Sequence, residues 1–255
     1  MFVSSRSLML DRYVMIGSLG SDVMGQDTEV AAARRRASVV AAVAGLSLAP
    51  YFWLSMAVVG WPAQEGPPVG APARDYVDFY VDGFSRIPLV ATVAIGSWAI
   101  WLVLVVSVVR AACRRIDLAA ILAVTLAGAS TAVYAAAEGV LAWPTIGMTA
   151  GEIPGNLDAG VAQAMVMSRD GLHAAAAVLL GISLLVVSWL LARSDLWGHW
   201  LLAAFGFLAG VSACAAMIVG PEGIGPGGIM VWGIVVAVVV LIGLRRKAPP
   251  ISRDT

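Results

Sequence analysis

An acid, a cation and a histidine occur close together at the junction of two apolar segments, where they could form a polar binding site. Glu138 lies about one turn before the end of one segment, while Arg169, Asp170 and His173 lie at the start of the next. An ionisable side chain inside an apolar span is costly and by default indicates function. These four residues are therefore predicted to bind a ligand. The alternative is that Glu138 only pairs with Arg169 or extends to water.

The residue types in the sequence give little indication of a metal site or a haem site. The chain has two histidines and two cysteines, whereas a zinc site needs three or four converging ligands. His173 and His199 stand at opposite ends of one apolar segment, about 39 Å apart at 1.5 Å per residue, which is too far to share a haem. Cys113 in a loop and Cys214 inside a span are predicted to be free thiols. We expect no metal, no cofactor and no catalytic residue.

The composition is typical of a membrane protein. Of the 255 residues, 60% are hydrophobic and 13% are charged, about half the charged fraction of soluble domains. A helix crosses the bilayer with about 20 apolar residues, and continuous apolar segments favour helices over the alternating strands of a barrel. We therefore predict an all-α bundle of six transmembrane helices. The six segments are residues 37–60, 87–109, 118–142, 171–192, 200–219 and 229–244.

The basic residues indicate the orientation of this bundle. With six spans, 13 of the 16 Lys and Arg residues fall on one side, and the other three are Arg74, Arg86 and Arg169. Positive charge marks the cytoplasmic side of a membrane protein. Nine of the 16 acids fall on or near the opposite side. We predict a multi-pass protein of the bacterial inner membrane with both termini in the cytoplasm.

The remaining segments are predicted as tails and loops. Residues 1–36 form a disordered cytoplasmic tail without a cleaved signal peptide, because no long apolar run occurs there. The true start of translation is Met1, Met9, Met15 or Met24. The six-helix domain occupies residues 37–247, and a second tail follows it. The outer loops are residues 61–86, 143–170 and 220–228, and the second tail is residues 248–255.

Two of the outer loops contain helical patterns. In the first, Asp75, Asp78 and Asp82 share one face of a helix, and aromatic residues share the other. This pattern predicts a helix lying at the membrane interface, with a cation site made of the three carboxylates as the alternative. In the second, Asn156 or Asp158 is predicted to cap a short helix. That helix either covers the bundle as a lid or rests on lipid.

Small residues predict where helices approach each other closely. Gly206 and Gly210 lie one turn apart in the fifth span, and four alanines, residues 174–177, occur near the start of the fourth. Such positions let helices pack by van der Waals contact. We expect this packing within the chain rather than between two copies.

The fourth span and its flanks resemble a known family. The segment Ser168-Arg-Asp-Gly-Leu-His173, continuing through Gly181 to Leu190-Leu-Ala-Arg-Ser194, is followed by an apolar span rich in Gly and Ala. It resembles the C-terminal half of the DUF4386-like proteins, a bacterial family of six-helix membrane proteins of unknown function. The resemblance covers about 60 residues. It implies a six-helix fold and supplies no catalytic residue.

Three classes of function remain open on the sequence alone. The first is a non-catalytic accessory or stress-associated membrane component that is recognised by a membrane protein partner. The second is a small transporter or sensor that binds a cation or an amphiphile at the site near Glu138. The third is a lipid-modifying membrane enzyme. In each case the lipid bilayer is a partner, and no nucleic-acid partner is expected.

Overall fold

The computed structural model describes most of the chain between residues 28 and 246. Its described residues are 28–48, 50–51, 57, 66–68, 70–83, 85–145, 157–219 and 225–246. The predictions on residues 1–27, on the outer end of the first span, on Asn156 and on the second tail lie outside this part.

All regular structure in these ranges is helical, so the all-α class is confirmed for them. Three helices are long and apolar enough to cross a membrane, as expected for a membrane protein: α3, α4 with the short 3₁₀ turn that follows it, and α5. The helices are α1 (residues 28–48), α2 (Ala73–Gly83), α3 (Ile87–Ala112), α4 (Leu118–Ala142), α5 (Ala159–Ala192), α6 (His199–Val219) and α7 (Gly225–Arg246), and the 3₁₀ turn is Trp143–Thr145.

Helix α5 is longer than the predicted fourth span. It contains 34 residues, so the short helix expected in the second loop and the fourth span are one continuous helix. Asp158, one of the two predicted caps, is its N-cap, because its carboxylate accepts hydrogen bonds from the N–H groups of Gly160 and Val161. No proline interrupts the helix, and its internal Gly171 costs only about 1 kcal/mol relative to alanine.

Six long helices pack around one hydrophobic core, to which α1 and α3 through α7 all contribute. Helices α4 and α5 are antiparallel, as two hydrogen bonds between them show. The Ser183 hydroxyl donates to the Ala123 carbonyl at 2.7 Å, and the Ser130 hydroxyl donates to the Ala176 carbonyl at 2.6 Å. Residue numbers thus rise along α4 as they fall along α5. The last turns of α4 therefore face the first half of α5.

Glycines bring α5 and α6 into backbone contact. A methyl group on Gly210 would lie 2.9 Å from the Gly181 carbonyl oxygen, and one on Gly206 would lie 2.6 Å from the Ser188 hydroxyl. Helices can approach this closely only where side chains are absent. The two glycines of the small-residue pattern therefore pack against α5 of the same chain.

Charged residues from three segments meet at one end of the bundle, which we call the basic end. Arg34 of α1 forms an ion pair with Asp195, and Arg114 lies 3.0 Å from the same carboxylate. Arg34 also donates to the Ala111 carbonyl at 2.8 Å. Residues 28–36, predicted as part of a disordered tail, are helical, and Arg34 joins them to the rest of the bundle. Other exposed arginines at this end are Arg110, Arg193, Arg245 and Arg246.

The Asp195 contacts predict a stability that weakens in acid. The hydrogen bonds from Arg34 and Arg114 hold the pKa of Asp195 well below its usual value. A depressed folded-state pKa stabilises the protein above the unfolded pKa of about 3.9, and the effect is lost as pH falls through the folded-state value. We expect Asp195→Asn to lower the thermal unfolding temperature at pH 7, and the gap from wild type to narrow progressively below about pH 4.

The measurement is thermal unfolding of the detergent-solubilised protein across this pH range. Asp75→Asn, at an exposed carboxylate of α2, is the control and should match wild type throughout. A gap for Asp195→Asn that stays constant from pH 7 to about pH 2 would contradict the ionic explanation.

Candidate functional site

A buried carboxylate lies where the end of α4 faces α5. The side chain of Glu138 is fully buried, and that of Arg169 is 8% exposed. The Arg169 guanidinium donates to the Glu138 Oε1 atom at 3.4 Å. His173 Nε2 lies 2.7 Å from the same oxygen. Arg169 and His173 are four residues apart and so share one helix face.

Asp170 lies at the edge of this cluster. Its Oδ1 atom is 3.9 Å from the Arg169 guanidinium, and its side chain is 43% exposed. All four predicted site residues are therefore near one another, from Asp170 at the surface to Glu138 in the interior. We call this group the Glu138 cluster and its side of the bundle the Glu138 end.

Three stacked rings form one wall of the Glu138 cluster. The rings of Trp98 from α3 and Tyr134 from α4 lie 4.3 Å apart at an angle of 20°. The Tyr134 ring in turn lies 4.5 Å from the His173 ring at 9°. The stack fixes the orientation of the imidazole beside Glu138. Neither Trp98 nor Tyr134 was predicted from the sequence, although Tyr134 lies one turn before Glu138 and so on the same helix face.

Helix α2 covers the Glu138 end. Its Tyr76 and Tyr80 are fully buried and pack on Val166 of α5. These two rings therefore contact protein, while the position of α2 at the membrane interface stays a prediction. Burial raises the pKa of Tyr80 to about 12, partly opposed by the positive charge of Arg169.

The acidic face of α2 points away from the Glu138 cluster into solvent. Asp75, Asp78 and Asp82 are all exposed, and Asp78 lies 3.7 Å from Arg74. Within the described ranges, no group of three His, Cys, Asp or Glu residues is arranged to hold a metal ion. The alternative of a three-carboxylate cation site on this face therefore gains no support.

Two buried polar atoms, one in the Glu138 cluster and one on α2, are able to form further hydrogen bonds. Glu138 Oε2 and the Tyr80 hydroxyl are both buried, and neither has a hydrogen-bond partner among the residues described. A buried polar group left in this state costs about 1–3 kcal/mol. Each of these two atoms could form a hydrogen bond with a polar ligand. A metal cation is disfavoured because the Arg169 guanidinium is already close to the carboxylate.

The fold and the Glu138 cluster together define an α-helical protein with helices of membrane-spanning length and a buried acid, cation and histidine at one end. Comparisons with protein-family models, with curated proteins and with solved structures find no match to this chain. The resemblance to the DUF4386-like proteins therefore stays a prediction.

Proposed function

We propose that this chain is a six-span protein of the bacterial inner membrane that binds a small polar solute at the Glu138 cluster, as a transporter or a sensor. The observation that carries this proposal is the state of Glu138. Its carboxylate is fully buried, one oxygen is close to Arg169 and His173, and the other has no partner among the described residues. An ionisable group is retained within an apolar bundle mainly where it has a function.

The proposed topology has both termini in the cytoplasm. It is supported by the basic end, where Arg34 of the first long helix and Arg246 of the last one both lie. Two chain ends on the same side require an even number of crossings, and six long helices supply it. The excess of arginine assigns the basic end to the cytoplasmic side and the Glu138 end to the outside.

Cysteine labelling tests this topology. Native Cys113 is a poor reporter because burial and the nearby Asp117 raise the pKa of its thiol. Single cysteines placed at exposed Asp78 and exposed Arg115 are therefore compared in a background in which both native cysteines are serine. We expect a membrane-impermeant maleimide to label Asp78→Cys in intact cells and Arg115→Cys only after permeabilisation. The reverse pattern would contradict the orientation.

The solute proposal is tested by thermal shift on the purified full chain. The probes are amino acids, short carboxylic acids and polyols, which offer hydrogen-bond donors and acceptors of suitable size. We expect at least one class to raise the unfolding temperature of wild type. The shift should be absent in Glu138→Gln and intact in Asp78→Asn, an exposed control on α2. No shift with any probe, or a shift that survives Glu138→Gln, contradicts solute binding at this cluster.

A second candidate is a non-catalytic accessory or stress-associated component of the membrane. It is favoured by the presence of a counter-charge within the Glu138 cluster itself, since the Arg169 guanidinium lies 3.4 Å from the Glu138 carboxylate. In that case the cluster only holds α4 against α5. Co-purification with another membrane protein in mild detergent, together with an unchanged phenotype of Glu138→Gln at equal protein level, would select this candidate.

A further inference from the structure

The imidazole of His173 is the partly exposed neighbour of a carboxylate that is itself out of reach of water. Its Nε2 atom lies 2.7 Å from the Glu138 Oε1 atom. The His173 side chain is 20% exposed, whereas the Glu138 side chain is fully buried. Of these two groups, the imidazole is therefore the one that can exchange a proton with the surroundings of the protein.

The Tyr134 ring holds the imidazole in this position. The two rings lie 4.5 Å apart and are nearly parallel, at 9°. Trp98 stacks in turn on Tyr134. A positive charge on the imidazole is therefore held beside Glu138.

The charged groups of the Glu138 cluster are short of one positive charge while His173 is neutral. Glu138 and Asp170 carry two negative charges, and Arg169 carries one positive charge. The Arg169 guanidinium lies 3.4 Å from Glu138 and 3.9 Å from Asp170. Both distances exceed the roughly 2.7–2.9 Å of a strong charge-assisted hydrogen bond. One guanidinium therefore faces two carboxylates and holds neither of them tightly.

The other titratable groups around His173 do not supply this charge. Tyrosine ionises only near pH 10, so Tyr134 is neutral at lower pH, and burial raises the pKa of Tyr80 on α2 to about 12. Arg86 at the start of α3 is exposed to solvent. Helix α6 packs on α5 through Cys214, and its residues 200–219 include no acid, lysine or arginine. Histidine is the side chain that ordinarily changes its charge between about pH 5 and pH 8.

We propose that the Glu138 cluster binds a proton at His173, and that the resulting imidazolium is a second counter-charge for Glu138 beside Arg169. The added charge balances the two carboxylates of the cluster. A protonated histidine donates from both ring nitrogens, so Nε2 then carries a hydrogen for Glu138 Oε1. A proton needs no cavity, and its binding does not depend on solute binding at the same cluster. The cluster thereby responds to acidity between about pH 5 and pH 8.

The first test is NMR of the full chain in detergent with isotope-labelled histidine. The chain has two histidines, and His199→Gln assigns their signals. We expect the His173 ring of wild type to gain its proton between about pH 8 and pH 5. In Glu138→Gln the midpoint should fall by about one pH unit or more, because the opposite charge beside the ring is lost.

The control is Asp78→Asn, which changes an exposed carboxylate of α2 and should leave the midpoint unchanged. Equal midpoints in wild type and Glu138→Gln would overturn the proposal. So would a His173 ring that stays neutral down to about pH 5.

The second test asks whether the imidazolium stabilises the buried carboxylate. Arg169→Gln removes the other cation, so the pairing of Glu138 with His173 becomes more important. A proton that binds more tightly to the folded chain stabilises it at low pH, and this effect is lost as pH rises. We therefore expect Arg169→Gln to unfold at a higher temperature than Arg169→Gln/His173→Gln, by a gap that grows from about pH 8 to about pH 5.

A gap that stays constant over this range contradicts the role of the imidazolium as a counter-charge. If Arg169→Gln does not fold, the NMR midpoints decide the question alone. Neither experiment contains a solute, so a failure here leaves solute binding at the Glu138 cluster untouched. The absence of any solute-induced thermal shift would likewise leave the proton site standing.

Discussion

Replacing Gly181 with leucine is expected to separate α5 from α6 and to leave little folded protein in the membrane. A Cβ atom on this residue would lie 2.7 Å from the Gly210 carbonyl oxygen and 2.6 Å from the Cys214 sulfur. The first of these is backbone and cannot move aside without shifting a helix. Overpacking of a well-packed interior costs about 1–3 kcal/mol, and we expect Gly181→Ala to fall at the upper end of this range. Leucine adds three more carbon atoms at the same point.

The measurement is size-exclusion elution and thermal unfolding of the detergent-solubilised variants. Gly128 on α4 is the matched control, because a Cβ atom on it would have no neighbouring atom within 4 Å. Gly128→Ala should be as stable as wild type or more stable by up to about 1 kcal/mol, since alanine favours the helix. If Gly181→Leu elutes and unfolds like wild type, α5 and α6 do not meet at these glycines.

The bounds of α4 could be predicted from sequence because both ends carry local signals. Asp117 caps the first turn by accepting a hydrogen bond from the Ala120 N–H at 2.8 Å, and Pro144 lies two residues after the last residue, Ala142. The sequence also offered Asp158 as a cap, but it did not indicate that the helix beginning there and the fourth span are one continuous helix. Hydropathy indicates which part of a helix is apolar enough to lie in the bilayer. Helix α5 continues beyond that part, through the charged residues Arg169 and Asp170. Its start is signalled only by the capping Asp158.

The residues of the Glu138 cluster and its surroundings could likewise be predicted from the sequence only in part. Glu138 and Arg169 lie on two helices that follow each other in the chain, on either side of one connection. Because those helices are antiparallel, connectivity favours the proximity of the two charges. Trp98 and Tyr80 reach the cluster from α3 and α2. Their positions depend on how those helices rotate against α4 and α5, which is set by packing across the whole core and leaves no local pattern. Sequence reasoning therefore finds the charges of such a site more readily than the aromatic rings around it.

The second large effect is expected for Glu138→Ala. This change removes the buried carboxylate nearest to the Arg169 guanidinium, which is itself only 8% exposed. Breaking a buried pair by removing one partner typically costs about 3–5 kcal/mol, because the remaining charge stays out of water. Glu138→Gln should cost less, since its amide oxygen can still accept the hydrogen bond from Arg169.

A double-mutant cycle measures the interaction energy between Glu138 and Arg169 separately from the effect of replacing each residue alone. Glu138→Met/Arg169→Met removes both charges and replaces them with apolar side chains, a change that is often neutral or stabilising for a buried pair. We expect the double variant to be more stable than either single methionine variant, by equilibrium unfolding in detergent. Purely additive effects of the two single changes would contradict a direct interaction between these side chains.

The double-mutant cycle also tests whether the charges of the Glu138 cluster serve stability or ligand binding. Two apolar side chains could hold α4 against α5 without any desolvation cost, so stability alone does not require Glu138 and Arg169. A double variant that folds as well as wild type, and whose unfolding temperature no polar solute changes, would assign the two charges to binding. If the same variant unfolds well below wild type, the charges serve mainly to hold the two helices together, and the accessory candidate is favoured instead.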